Sequence, residues 1–259
     1  MSDIGVFEQP LNERFRLFLR VEQLFERLEH HLAGHTVWDT HAALQAVLEL
    51  LHTVSRGDSK RELIKELDRQ RAALSRFDDE RSVVDRTRLR GVLAEHQRLL
   101  DALHAHPRTL GQELRDNELV DHLQQRATAG GRPGILELPA YQEWLQRPAQ
   151  ERHSTLRHWL DPLEPARDAI RQCLTLVRDS VDWQSIHVTQ GFYEQPLEPT
   201  QAIQLLRVRL DDVSGGHRFP EISAGRQRFT VRFFQQRTPS DRSTQVNEAL
   251  TFGLACCGV

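Results

Sequence analysis

The sequence RFTVRFF at residues 228–234 alternates between apolar and polar or charged side chains over most of its length. Successive side chains of a β-strand point to opposite faces of the sheet, so this pattern predicts a strand with one buried face and one exposed face. Its predicted buried side chains are Phe229, Val231 and Phe233. Arg228 and Arg232 then lie together on the outer face.

The same period of two extends through the last third of the chain. In residues 203–210, IQLLRVRL, it directs Arg207 and Arg209 outward. The inward side chains there are Leu206, Val208 and Leu210. Clusters of Pro, Gly, Asp and Ser separate four predicted strands, at 186–193, 203–210, 226–234 and 249–256. We expect an antiparallel sheet on which the four arginines share one face.

Up to about residue 182 the apolar side chains recur at the spacing of amphipathic helices. The first helix is predicted to begin near Pro10 and to end at Gly34. The second turns Trp38 inward and ends at residues 56–57. The third is capped by Asp58 or Ser59 and turns Phe77 inward.

Further helices are predicted from residue 85 to residue 106, over 110–126, over 139–147 and along 151–181. Pro162 and Pro165 are expected to interrupt the last of these. A glycine-rich turn at 130–134 precedes a short predicted strand at 135–138, which we expect to join the later sheet. The fold class is therefore α+β, with a helical domain at 1–182 and a small antiparallel β-domain at 183–259.

The composition excludes several classes of protein. The 259 residues include 34 Lys+Arg and 37 Asp+Glu, so the net charge of −3 disfavours a bulk binder of polyanions. No apolar run approaches the ~18 residues that span a bilayer, and the first ten residues lack the order of a secretory signal. Three cysteines are too few for a disulfide framework. We expect a cytoplasmic protein with free thiols and no membrane insertion.

No catalytic, cofactor-binding or metal site is predicted. The chain lacks a phosphate-binding glycine loop, a Gly-x-Ser-x-Gly elbow, a His-Glu-x-x-His motif and a Cys-x-x-Cys pair. The densest histidines, His30, His31 and His35, do not converge on one ion at helical spacing. Cys256 and Cys257 alternate across a strand, so we expect an inert strand end.

The arginines carry more information. Between residues 218 and 242, six arginines stand against Glu221 and Asp241, a local balance of +4. Such a face is either an ordinary solvated surface or a docking surface where guanidinium groups bind carboxylate or phosphate. The phenylalanines are expected to point inward, and outward aromatics on which bases could stack are therefore lacking. A peptide ligand is favoured over single-stranded nucleic acid.

An ordered set of short motifs runs along the chain. The set begins with FEQPLNE at 7–13, Arg16 and Leu19-Arg20, and continues with Arg56-Gly57 and ELDRQ at 66–70. The second half adds GFY at 191–193, PEIS at 220–223, the Arg-Phe pairs at 228–229 and 232–233, and LACC at 254–257. Taken in this order, the motifs resemble the ZapD family of cell division proteins. One departure is GGRP at 130–133, where some relatives carry a cysteine pair after the double glycine.

The resemblance implies a non-enzymatic bacterial protein without cofactors that acts at the mid-cell division site. Such a protein binds the C-terminal tail of the tubulin-like protein FtsZ and, as a homodimer, cross-links FtsZ filaments into bundles that stabilise the division ring. The residues predicted to bind this partner are Arg20, Arg56, Arg115, Arg228 and Arg232. Two alternatives stay open: a nucleic-acid-binding module that uses the same arginines on phosphates, and a hydrolase or metal enzyme with convergent His, Asp or Cys side chains.

Overall fold

A computed structural model describes residues 5–55, 58–79, 86–106, 108–128, 138–198, 202–210 and 217–259. These residues divide into two compact units. The strand unit comprises the described residues of Met1–Arg16 and Leu174–Val259, and the helical unit is Leu17–Cys173. The predicted α+β class is confirmed. Arg56 and most of the predicted strand at 135–138 lie outside the described residues.

The helices follow the predicted periodicity, except that the single helix predicted over 110–126 is divided into two. Their bounds are α1 Glu13–Leu32, α2 Val37–Ser55, α3 Ser59–Asp79, α4 Arg86–Ala105, α5 Gln112–Arg115, α6 Glu118–Thr128, α7 Pro139–Gln146, α8 Ala149–Leu160 and α9 Glu164–Arg178. A single 3₁₀ turn at Asp161–Leu163 separates α8 from α9, which confirms the interruption predicted at Pro162 and Pro165. Among the described helices, none has the length and apolar composition needed to cross a membrane.

The first helix begins three residues later than predicted. Pro10 closes a strand, β1 (Val6–Pro10), and α1 starts at Glu13. The side-chain oxygen of Asn12 accepts a hydrogen bond of 2.9 Å from the backbone N–H of Phe15, which satisfies a donor that the helix itself leaves unpaired. The start of the helix is therefore set by an Asn cap. At α3 the predicted cap Asp58 is confirmed, since its carboxylate accepts from the N–H of Arg61 at 3.1 Å.

Two side chains predicted to face inward are exposed instead. Trp38 is 69 % exposed and Phe77 is 45 % exposed. Trp38 is the second residue of α2, and Phe77 is the third from the end of α3. The apolar periodicity in the sequence therefore extends into terminal turns that the packing does not cover.

A largely buried polar network joins three helices of the helical unit. The carboxylate of Glu66 on α3 accepts hydrogen bonds from Arg69, with Nη2 at 2.6 Å, and from the amide of Gln70 at 3.1 Å. Gln70 also donates to the carbonyl of Cys173 on α9 at 3.2 Å, and its own carbonyl lies 3.1 Å from Nε2 of His96 on α4. Because every member has a partner, the network fixes how α3, α4 and α9 meet.

The strand unit is built from two antiparallel sheets. Besides β1, its strands are β2 Gln184–Val188, β3 Phe192–Pro196, β4 Leu205–Arg209, β5 Arg218–Ala224, β6 Arg228–Gln235, β7 Thr244–Gln245 and β8 Leu250–Cys257. The first sheet has the order β1-β4-β8-β2, and the second has the order β3-β6-β5 with β7 also pairing with β6. Side chains of both sheets form one apolar core.

The predicted alternation in β4 and β6 is confirmed, because the inward residues of both strands belong to this core. Phe233 of β6 contacts Phe252 of β8 with ring centroids 4.8 Å apart, and Phe252 also contacts Tyr193 of β3 at 5.7 Å. These contacts run from one sheet to the other. The two sheets are therefore held face to face by aromatic side chains.

The prediction of one strand at 186–193 is wrong. Residues 184–188 form β2 of the first sheet, and residues 192–196 form β3 of the second. Gly191 lies between them with φ +57°, a left-handed conformation that favours glycine. The chain therefore changes sheet across the short turn at 189–191, Thr-Gln-Gly, which the sequence analysis placed inside a single strand.

Strand β1 changes how the chain divides. All five of its residues pair with β4, from Val6 opposite Arg209 to Pro10 opposite Leu205. Residues 6–10 thus pair with a strand of the strand unit, whereas the sequence analysis placed them in a helical domain at 1–182. Strand β5 was also not predicted. It contains Pro220, which weakens a strand signal, and it lies at the edge of its sheet, where proline is tolerated.

Replacement of Glu66 by alanine is expected to destabilise the helical unit by about 3 kcal/mol. The change removes one of the two acceptors of the Gln70 amide and the carboxylate that pairs with Arg69, and breaking a buried ion pair costs about 3–5 kcal/mol. The low end applies because Arg69 is one-third exposed. Urea unfolding followed by circular dichroism measures the change. Glu62→Ala removes the carboxylate of an exposed pair with Lys65 and should cost less than about 1 kcal/mol; equal losses would contradict the role of the network.

Replacement of Gly191 by alanine is expected to destabilise the strand unit by about 1–3 kcal/mol. An added Cβ would lie 2.2 Å from the backbone oxygen of Val246, and the positive φ strains any L side chain. The matched control is Gly225→Ala, where the nearest atom would lie at an ordinary 3.7 Å. Denaturant midpoints of the two variants should differ clearly, and similar midpoints would show that the turn tolerates a side chain.

Candidate functional site

The outer face of the second sheet carries two of the five arginines predicted to bind a partner. Arg228 and Arg232 are exposed on β6, four residues apart and thus separated by roughly 13 Å along the strand. The neighbouring strands place further side chains on the same surface, which we call the β6 face. Its members are Phe192 and Glu194 of β3, Arg228, Thr230, Arg232 and Phe234 of β6, and Phe219 and Glu221 of β5.

The two arginines have different surroundings. Arg228 forms an ion pair of 3.2 Å with Glu194, and both side chains are exposed. Arg232 forms no ion pair within the described part of the chain. Its guanidinium lies 5.8 Å from the ring centroid of Phe192, which is 40 % exposed. Arg232 thus offers its donors to a ligand, next to an apolar ring that a ligand can also contact.

The expectation that the β6 face lacks aromatic side chains is wrong. Phe192 is exposed, and Phe219 and Phe234 are half-buried and stacked on each other with centroids 6.0 Å apart. The reason is the register: Phe233 points inward, so Phe234 must point outward, and it meets Phe219 directly across the strand pair. The sequence offered a signal for this in the consecutive phenylalanines of β6, of which only one can be buried.

The arginines of β4 do not join this face. Arg207 and Arg209 lie on the first sheet, whereas Arg228 and Arg232 lie on the second, so the prediction of four arginines on one sheet face is wrong. The inner faces of both sheets meet in the core, and the two arginine pairs therefore point away from each other. The sequence could not reveal this, because the period of two is the same for one sheet and for two.

Arg207 has a structural setting. Glu8 of β1 forms two ion pairs, one of 2.9 Å with Arg207 and one of 2.8 Å with Arg178. All three side chains are mostly buried. The guanidinium groups of Arg207 and Arg209 lie 5.0 and 4.9 Å from the ring centroid of Trp183. These contacts stabilise the position of β1 in the first sheet and the packing of the segment before β2 against β4.

The predicted arginines of the helical unit lie on separate helices. Arg20 of α1 is half exposed and forms an ion pair of 2.8 Å with Glu49, which also pairs with Arg27 at 2.8 Å. Two arginines thus share one carboxylate and leave a net positive charge. Arg115 is half-buried at the end of α5 and donates to Thr109 and to the carbonyl of Leu110, so it stabilises the local turn.

The cysteines are poor nucleophiles in this structure. Burial raises the pKa of the Cys257 thiol to about 11 and also raises the pKa of Cys256. The thiolate is the reactive form, so both side chains stay protonated at neutral pH. This agrees with the expectation of an inert strand end.

Comparison with known proteins identifies the family. The family model described as "ZapD: Cell division protein" matches residues 19–232. The chain is 35 % identical to the cell division protein ZapD of Methylococcus capsulatus over 99 % of both chains. It is 37 % identical to the ZapD of Chromobacterium violaceum, with 97 % of this chain and 98 % of that protein covered. It is also 32 % identical to the ZapD of Coxiella burnetii, over 98 % and 97 %. The chain therefore belongs to the ZapD family of cell division proteins.

Proposed function

We propose that the protein binds the C-terminal tail of FtsZ and, as a homodimer, cross-links FtsZ filaments into bundles that stabilise the division ring. It acts in the cytoplasm at mid-cell, without a cofactor and without catalysis. Membership of the family supports the role in division, and the β6 face supports the mode of binding. The observation that carries it is Arg232, which forms no ion pair among the described residues and lies beside the exposed ring of Phe192.

The β6 face suits a flexible peptide of mixed character. Arg232 supplies donors for a carboxylate, and Phe192 supplies apolar contact for a neighbouring side chain of the peptide. Strand β6 is paired on both sides, by β3 and by β5. A ligand would therefore lie across the face and bind through side chains, because β6 has no free edge for an added strand.

The dimer is required by valency. A protein with one tail site can only decorate a filament, whereas a two-fold dimer presents two equivalent sites and can hold two filaments. Many tails along each filament raise the effective concentration, so a modest affinity at each site gives firm cross-links. Electrostatic docking of this kind weakens as salt rises.

A nucleic-acid-binding function is the alternative that the outward aromatics favour. Bases stack on exposed rings, and Phe192 is such a ring. Glu194 and Glu221 lie on the same face, however, and their carboxylates repel phosphates. Binding of a short labelled oligonucleotide distinguishes the two functions. Saturable binding with a steep salt dependence would favour a nucleic-acid ligand, and no binding of the oligonucleotide would favour a peptide ligand.

The charge-reversed variants Arg228→Glu and Arg232→Glu are expected to abolish bundling and to leave the homodimer intact. Each replaces donors for a carboxylate with a repelling charge, and the side chains are exposed, so the core is undisturbed. Co-sedimentation and light scattering with GTP-polymerised FtsZ, full length and tail-deleted, measure bundling. Size-exclusion chromatography with light scattering measures the dimer.

The matched control for these variants is Arg98→Glu on α4, an equally exposed arginine outside the β6 face. It should bundle filaments as well as the unchanged protein does. Normal bundling by Arg232→Glu, or binding that survives deletion of the FtsZ tail, would rule out the proposed contact.

Phe192→Ala is expected to weaken binding of the FtsZ tail about five-fold. Loss of the ring removes apolar contact and the cation–π partner of Arg232, together worth about 1 kcal/mol. Fluorescence anisotropy with a labelled tail peptide measures the affinity. Phe77→Ala removes a phenylalanine of similar exposure from the helical unit and should have no effect. An unchanged affinity for Phe192→Ala would show that the peptide bypasses the aromatic part of the face.

A further inference from the structure

A cavity of about 770 Å³ opens on the helical unit, and none of its lining residues belongs to the β6 face. Six of its seven lining residues belong to α8 or directly follow it, and the seventh, His35, lies between α1 and α2. The lining residues are His35, Gln150, His153, Ser154, Arg157, His158 and Asp161. Pockets of roughly 300–1,000 Å³ accommodate small organic ligands, so the cavity has the size of a ligand site.

His153 is the most informative residue of the cavity. It is only 7 % exposed, and its ring stacks on that of His35 with centroids 5.7 Å apart. Its Nε2 atom is buried and has no hydrogen-bond partner. A buried polar atom without a partner is uncommon in folded proteins, and it is often satisfied by a ligand.

The charge around the cavity is positive. Arg157 is exposed and forms no ion pair within the described residues. Arg152, 5 % exposed, donates only to neutral oxygens: the hydroxyl of Thr40 at 3.0 Å and the carbonyls of His35 at 3.1 Å, Leu145 at 3.3 Å and Arg147. Asp161 is the single acidic residue in the described lining, and it lies 3.5 Å from His158. Two guanidinium charges are thus left without a carboxylate.

We propose that this cavity binds a small organic molecule through a phosphate group, which His153 Nε2 and Arg157 hold together. A cation is disfavoured by the two uncompensated arginines, and the described residues contain no group of three metal-ligating side chains. A phosphate accepts several hydrogen bonds at once and so can satisfy an imidazole, a guanidinium and the hydroxyl of Ser154. The cavity is larger than inorganic phosphate requires, and it therefore has room for an organic part.

The proposed site has a consequence for the protonation of His153. Burial lowers the pKa of His153, and the charges of His35, Arg157 and Arg152 lower it further, while a hydrogen bond with the backbone of Gly34 raises it. An anion beside Nε2 has the opposite effect and raises the pKa. Binding therefore takes up a proton in the range between the two pKa values, and the affinity increases as the pH falls through that range.

Isothermal titration calorimetry on the full-length protein tests the site, with sodium pyrophosphate and adenosine triphosphate as probes at constant ionic strength. We expect one site per chain and tighter binding at pH 6 than at pH 8. Arg157→Gln should weaken binding at least about ten-fold, because hydrogen bonds to charged groups are worth that factor. His153→Gln should remove most of the pH dependence. Arg98→Gln, which alters an equally exposed arginine of α4, should bind as the unchanged protein does.

The two probes distinguish the sources of the phosphate. If adenosine triphosphate binds more tightly than pyrophosphate, part of the cavity contacts the organic group. Equal affinities would show that the site contacts the phosphate chain alone. Absence of binding at millimolar concentration, or an equal loss in Arg157→Gln and Arg98→Gln, would overturn the proposal. The site does not depend on FtsZ binding, since Arg232→Glu leaves the cavity untouched and should retain the full affinity.

Discussion

The contact between Phe233 of β6 and Phe252 of β8 holds the two sheets of the strand unit together, and the face that we propose for binding depends on it. Side chains alternate strictly along a strand, so burial of Phe233 requires Arg232 and Phe234 to point outward. A slip of one residue would bury the arginines and expose the core. The apolar core and the β6 face are therefore two consequences of one register.

The described arginines divide by whether they form an ion pair with a carboxylate. Arg178 and Arg207 share Glu8, Arg20 and Arg27 share Glu49, and these pairs connect parts of the same unit. The exposed pairs with Glu49 contribute little to stability. Their main effect is to neutralise an arginine charge that would otherwise attract a ligand. The arginines without such a carboxylate are the informative ones. Arg232 on the β6 face and Arg157 in the α8 cavity belong to this group within the described residues.

Much of the architecture could be predicted from periodicity, because each unit buries one face of each element. The helical spacing up to residue 182 and the alternation at 203–210 and 226–234 both correspond to observed elements. The pairing of strands could not be predicted. Strand β1 is only five residues long, and its partner β4 lies about 200 residues away in the sequence. No local pattern therefore predicts that the two strands pair. The division into two sheets at Gly191 could not be predicted either, because a short turn between two strands does not indicate whether they belong to one sheet or to two.

The candidate sites show the same limit. Arg228 and Arg232 were found because they occupy alternate positions of one strand, whereas Phe192 and Phe219 reach the β6 face from neighbouring strands. His35 and His153 meet through tertiary packing across 118 positions of sequence, and no spacing connects them.

The modest size of the β6 face bears on how filaments would be joined. It offers one arginine without an ion pair and one exposed ring, and the half-buried pair Phe219 and Phe234 adds a shallow apolar surface. A surface of this kind gives weak and quickly reversible binding at each site, since affinity depends on buried anchors more than on area. Weak sites suit a cross-linker of dynamic filaments. Each single contact dissociates readily, whereas several contacts together keep two filaments joined. On the proposed function, the dimer supplies the strength of the bundle and the single β6 face supplies its reversibility.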